Sequence, residues 1–97
     1  MGSNNGNNKR MRDSDWSVSA DGDECVHITI NENIDITNME LVILSDTRTP
    51  IIKMRVNSHG IHICTHTNRP MFAQIGHSVK YVVNSGSEYY ENEKIIS

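Results

Sequence analysis

Between Thr47 and Ser87 the sequence contains no Asp or Glu, although the whole chain of 97 residues has 12 of them. Four of the five histidines lie in this segment. The segment also carries five of the nine Lys and Arg residues, namely Arg48, Lys53, Arg55, Arg69 and Lys80. The net charge of −3 therefore hides a basic centre between acidic flanks. Such an asymmetry bears on binding partners more than on the fold.

Other absences exclude whole classes of protein. No apolar run approaches the roughly 20 residues that span a membrane, so we expect no membrane partner. The two cysteines could form one bridge, but they are too few for a secreted disulfide scaffold. We therefore expect an intracellular protein, cytoplasmic or nuclear. No nucleophile elbow, phosphate loop or metalloprotease helix is present, so we expect neither an enzyme nor a bound cofactor.

The N-terminal segment is polar. Residues 1–24 contain few apolar side chains, of which Trp16 is the largest. Such a composition buries too little surface to offset the entropy of ordering. We predict a flexible acidic arm over residues 1–24 and a single domain over residues 25–97. Two interpretations of Trp16 stay open: a short linear binding anchor, or an added strand packed on its own domain.

Alternation of apolar and polar residues dominates after residue 24. From Cys25 to Ile30 every second side chain is apolar, which is the period of a half-buried strand. The continuous apolar run Leu41–Leu44 favours a central strand covered on both faces. Further strands are predicted near residues 51–56, 61–64 and 79–83, and residues 88–96 could form an edge strand or a helical turn.

Turn residues separate these predicted strands. Residues 57–60 have the composition of a hairpin turn, with Gly60 free to adopt a positive φ. Helix is nearly absent from the pattern. We therefore predict an all-β fold, a small antiparallel sandwich or barrel of five to six strands with a disordered N-terminal arm.

Cysteine and histidine alternate on two of the predicted strands. Residues two apart on a strand share a face and lie roughly 7 Å apart, so Cys25 can converge with His27 on one ion, and His62 with Cys64. If the two strands were neighbours in register, the four side chains could complete a tetrahedral zinc site. The alternative, which we favour from the sequence, is that they only decorate the solvent face of a sheet. The close-set cysteine pairs of zinc modules are missing.

The cations of the central segment suggest a binding surface. Lys53 and Arg55 would project from the same face of one strand, and no acidic residue is close to them in sequence. Phosphate binding requires such unneutralised cations. Two aromatic residues of the segment, Phe72 and Tyr81, could stack on nucleic-acid bases or belong to the core.

From these features we predict a non-enzymatic binding or assembly module. It would use a basic, His-rich sheet face and exposed strand edges to bind an acidic protein partner or a second copy of itself. A core of about 70 residues is marginal alone, which favours a homo-oligomer. Two alternatives stay open: an RNA- or DNA-binding domain that contacts phosphates through Lys53, Arg55 and their basic neighbours, and a zinc-binding β domain. The small size and Asn- and Ile-rich composition would also suit a viral accessory protein.

Overall fold

The computed structural model describes residues 11–22, 24–64, 77–86 and 88–96. Within these ranges a 3-10 turn at Asp13–Asp15 is followed by seven strands: β1 (Trp16–Asp21), β2 (Cys25–Ile30), β3 (Met39–Leu44), β4 (Pro50–Arg55), β5 (Gly60–Cys64), β6 (Ser78–Ser85) and β7 (Glu88–Ile95). The predicted all-β class is confirmed. None of the described residues belongs to a helix that is long and apolar enough to span a membrane.

The strands form two antiparallel sheets that pack into a sandwich. The three-stranded sheet has the order β1-β2-β5, and the four-stranded sheet has the order β4-β3-β6-β7. Each sheet has two edges, so the sandwich form of the prediction is the one observed, not the closed barrel. Of the two interpretations of residues 88–96, the edge strand is confirmed, because β7 pairs only with β6 among the described strands.

The core lies between the sheets and is filled by alternate residues of each strand. The three-stranded sheet contributes Val26, Ile28 and Ile30, all nearly inaccessible to solvent. Strand β3 lies between β4 and β6, and its residues Leu41–Leu44 are all buried. The continuous apolar run thus marks a central strand, as predicted, because both of its faces are covered.

The predicted boundary of the flexible arm is wrong, because residues 11–22 belong to the domain. Strand β1 pairs along its whole length with β2. Trp16 is only 3 % exposed, and its ring meets that of Tyr81 edge to face with centroids 5.3 Å apart. The Tyr81 hydroxyl donates to the carbonyl oxygen of the buried Met11 (3.0 Å) and accepts from its N–H (3.1 Å). Trp16 is therefore an element of the core, and Tyr81 is no stacking platform. Residues 1–10 lie outside the described ranges.

The link between β4 and β5 is also different from the prediction. These strands lie in different sheets, so residues 57–60 cross the sandwich and do not form a hairpin turn. The N–H of Val56 donates to Met39 on one sheet, and the carbonyl of His59 accepts from Ile30 on the other. Gly60 does not adopt a positive φ. The same local composition suits a hairpin turn and a crossover, because each of them needs an exposed polar link.

Candidate functional site

The pairing of β2 with β5 brings together the four residues of the predicted zinc site. In this register Cys25 lies opposite Cys64, and His27 lies opposite His62. All four alternate with core residues and therefore lie on the outer face of the three-stranded sheet. The condition that the sequence leaves open, that the two strands be neighbours in register, is met. Metal binding itself stays a prediction.

A disulfide joins Cys25 and Cys64, whose Cα atoms are 4.0 Å apart. The Nε2 atom of His62 lies 3.9 Å from the sulfur of Cys64 and 3.0 Å from a carboxylate oxygen of Asp21. The rings of His27 and His62 meet edge to face with centroids 5.7 Å apart. We call these five residues the Cys–His cluster. Sequence reasoning missed Asp21 because it lies in the segment predicted to be flexible.

The cations of the predicted binding surface have carboxylate partners. Three ion pairs lie on or beside the outer face of the four-stranded sheet: Lys53 with Glu40 (3.8 Å), Lys80 with Glu91 (3.3 Å), and Arg48 with Glu93 through both guanidinium NH₂ groups. Arg55 is exposed and lies directly opposite Glu40. Arg69 lies outside the described residues. In the fold, glutamates from the acidic flanks of the sequence therefore lie beside cations of the basic central segment.

The described histidines of the central segment do not share a face with Lys53 and Arg55. His62 lies on the other sheet. The half-buried His59 has its Nε2 atom 2.9 Å from the carbonyl of Ile34, and His77 is buried. The crossover after β4 separates His62 from the two cations, since it places β5 in the other sheet. Among the described residues, Lys53 and Arg55 therefore do not share one surface with the histidines.

The register of the four-stranded sheet aligns opposite charges at its two edges. On the outer face, one row of cross-strand neighbours begins at Arg55 on β4 and ends at Glu91 on β7. The next row begins at Lys53 and ends at Glu93. We call β4 with its two cations the basic edge, and β7 with these two carboxylates the acidic edge. The signal in the sequence that indicates the acidic edge is the alternation of Glu91 and Glu93 within the predicted edge strand.

Among the described residues, the surroundings of Glu93 shift the pKa of its carboxyl group. The hydrogen bond from Arg48 lowers the pKa of Glu93 below its ordinary value of 4.5, partial burial opposes this, and the Ser78 hydroxyl, which donates at 2.7 Å, adds to the lowering. The pKa of Arg48 is raised by the same pair. Glu93 therefore stays ionised in the fold at a pH where it would be protonated in the unfolded chain.

The lowered pKa predicts how acid weakens the fold. The contribution of Glu93 to stability is complete above its unfolded pKa of about 4.5 and is lost as the pH falls through its lower folded pKa. Glu93→Gln should therefore reduce the fall of the urea midpoint between about pH 5 and pH 3. Glu32→Gln, in an exposed turn, is the matched control and should keep the wild-type slope. Equal slopes for wild type and Glu93→Gln would refute the assignment.

Two arrangements of side chains can therefore carry function. The Cys–His cluster lies on the three-stranded sheet, and the two charged edges bound the four-stranded sheet. Both join residues that are distant in sequence. Comparison with protein-family models, with curated proteins and with solved structures finds no match for this chain, so the functional conclusions depend on the geometry and chemistry of these two arrangements.

Proposed function

We propose that this protein is a non-enzymatic assembly module that extends its four-stranded sheet from copy to copy. The acidic edge of one copy pairs with the basic edge of the next. The observation that carries this proposal is the register of the sheet, in which the same two rows end in cations at β4 and in carboxylates at β7. The partner is thus a second copy of this chain.

Strand direction is compatible with this pairing. Strand β7 is antiparallel to β6, β6 to β3, and β3 to β4, so β7 and β4 run in opposite directions. A second copy placed beside the first by a shift across the sheet therefore offers an antiparallel β4 to β7. Edge strands present unpaired N–H and C=O groups that another strand can satisfy in this way.

The rows can stay aligned across such a junction. Glu91 then lies beside Arg55 of the next copy, and Glu93 beside Lys53 of that copy. Opposite charges facing each other across a strand pair contribute roughly 0.2–1 kcal/mol each. In the adjacent row, which runs from Pro50 to Ile95, the 64 % exposed Ile95 would be covered by the next copy. The junction thus combines main-chain hydrogen bonds, two ion pairs and one apolar contact.

The charges also select the orientation of association. Pairing of β7 with β7 would oppose carboxylates, and pairing of β4 with β4 would oppose cations, both of which are unfavourable. The pair of Lys53 with Glu40 within one copy is exposed, and such a pair contributes about 0–1 kcal/mol and can exchange partners. Head-to-tail pairing generates a ring or an open filament.

Charge reversal at one edge tests the proposal by sedimentation velocity. Both Lys53→Glu/Arg55→Glu and Glu91→Lys/Glu93→Lys should sediment as monomers where the wild type assembles, because each double variant opposes like charges at the junction. An equimolar mixture of the two should assemble again, since each edge then meets an opposite charge on the other variant. Wild-type assembly should weaken between about 0.05 and 0.5 M salt.

The control for the change in net charge is Glu32→Lys/Asp46→Lys. Both residues are exposed in turns, and the double substitution adds the same charge as Glu91→Lys/Glu93→Lys. It should assemble like the wild type. A wild-type monomer at all concentrations, or a mixture of the two edge variants that stays monomeric, would refute edge-to-edge assembly.

Binding of RNA or DNA stays the alternative prediction. The carboxylates beside Lys53, Lys80 and Arg48 count against it, because phosphate binding draws on cations that exchange counterions. Fluorescence anisotropy of labelled RNA and DNA separates the two functions. Saturable, strongly salt-dependent binding that Lys53→Glu/Arg55→Glu abolishes would favour nucleic acid over a second copy.

A further inference from the structure

We infer that the Cys–His cluster is a thiol-dependent site for a zinc-class metal ion. When the bond between Cys25 and Cys64 is reduced, the two thiolates and His62 bind the ion and His27 completes its coordination. When the disulfide is formed, the two sulfurs are consumed and the ion is released. This inference is independent of the assembly proposed above, since the cluster lies on the other sheet.

The donor atoms are already close to the spacing that such an ion needs. The ligand atoms of Cys25, His62 and Cys64 all lie within 4.8 Å of one another. In a tetrahedral site with Zn–S near 2.3 Å and Zn–N near 2.0–2.1 Å, the ligand atoms are about 3.3–3.8 Å apart. The distance of 3.9 Å from the His62 nitrogen to the Cys64 sulfur is almost that value. For these three donors, small side-chain rotations therefore suffice once the S–S bond is broken.

Sheet pairing, in addition to the disulfide, holds the two cysteines opposite each other. Their strands are paired over five residues, from Cys25 opposite Cys64 to Thr29 opposite Gly60. Breaking the S–S bond therefore leaves two thiols opposed on neighbouring strands, free to separate to the spacing of two zinc ligands. A soft ion is suited to thiolate and imidazole donors.

The fourth donor and the competing group are both present. His27 lies directly opposite His62 on the same face, with their ring centroids 5.7 Å apart. Asp21 contacts the same His62 nitrogen that lies nearest the sulfur. That nitrogen cannot donate a hydrogen bond to Asp21 and bind a metal ion at the same time, so metal binding requires it to leave Asp21.

The chemistry of the change is balanced by a dithiol reductant. The reductant gives two electrons to the S–S bond and becomes a disulfide itself, while two protons pass to the sulfurs of Cys25 and Cys64. Binding of the ion then releases these two protons to water, because thiolates are the ligands. A disulfide oxidant reverses the sequence by accepting the two electrons.

Cobalt and zinc titrations of the full chain test the inference. After reduction, the wild type should bind one Co²⁺ per chain with the visible bands of tetrahedral cobalt and a thiolate charge-transfer band, and the oxidised chain should show neither. His27→Ala/His62→Ala retains both cysteines. In the reduced state it should bind Zn²⁺ at least about 100-fold more weakly in chelator competition, since even loss of a supporting partner costs 10–100-fold.

The matched control is Thr29→Ala, on the same face of β2 but without a soft donor. It should keep the wild-type affinity and spectrum. Near-UV circular dichroism of the reduced chain shows whether the fold persists before the ion is added. Absence of the cobalt bands in the reduced wild type would overturn the inference. Equal zinc affinities of the reduced wild type and His27→Ala/His62→Ala would do so as well, because the two histidines would then not be ligands.

Discussion

Replacing Trp16 with alanine is expected to lower the free energy of unfolding by about 3–5 kcal/mol. The side chain is 3 % exposed, packs edge to face against Tyr81, and has the ammonium of Lys94 5.1 Å from its ring centroid. The loss is a large share of the roughly 5–15 kcal/mol that stabilises a small domain. The melting temperature should fall by about 12 °C or more. Circular dichroism is the suitable measurement, since the chain has no other tryptophan.

The control for this substitution is Ser17→Ala, the exposed neighbour on the same strand. Its effect should stay within about 0.5 kcal/mol. A loss below about 1 kcal/mol for Trp16→Ala would mean that the tryptophan contributes little to the core.

Strand β1 could not be predicted from the sequence because its stabilising partners are distant. Within β1 only Trp16 and Val18 are buried. Their support comes from Tyr81 and from Lys94, whose ammonium donates to the carbonyl oxygens of Asp13 (2.5 Å) and Trp16. Local composition reports only the apolar residues within the segment. Here the strand is stabilised by contacts with residues more than 60 positions away in the sequence.

Individual strands can be predicted from the sequence better than their arrangement in sheets. Alternation identified β2, and the apolar run identified β3, because burial on one or both faces leaves a local pattern. The assignment of strands to sheets leaves no such pattern. Residues 57–60 would have the same polar composition in a hairpin and in a crossover, so the sequence alone does not show that His62 lies on a different sheet from Lys53.

In the two candidate sites as well, local features can be predicted from the sequence and the contacts between strands cannot. Spacing alone placed Cys25 with His27, and His62 with Cys64, on shared strand faces. Their convergence depends on the pairing of β2 with β5, which is a property of the whole fold. The charge asymmetry was visible in the sequence, but its neutralisation was not, because the acidic partners come from β3 and β7.

Loss of the disulfide is expected to be the second large effect. Cys25 and Cys64 are 39 residues apart, and a cross-link closing a loop of that length stabilises by about 4 kcal/mol in the chain-entropy model. The reduced wild type and Cys25→Ser/Cys64→Ser should therefore unfold at the same, lower urea concentration than the oxidised wild type. Trp16 fluorescence reports the transition, because this buried residue is the only tryptophan.

Adding zinc during the same urea titration distinguishes disulfide bonding by the cysteines from the metal binding proposed for them. An ion that binds only the folded chain adds about 2.7 kcal/mol at a free concentration of 100 times its Kd. The reduced wild type should regain stability by that amount, and Cys25→Ser/Cys64→Ser should not, since it lacks both thiolates. Coincident urea curves for the oxidised and reduced wild type would mean that the bridge does not constrain the chain. Recovery by zinc in the serine variant would place the ion elsewhere. In the proposed site, the cysteines stabilise the fold through one of two exclusive bonds, to each other or to a metal ion.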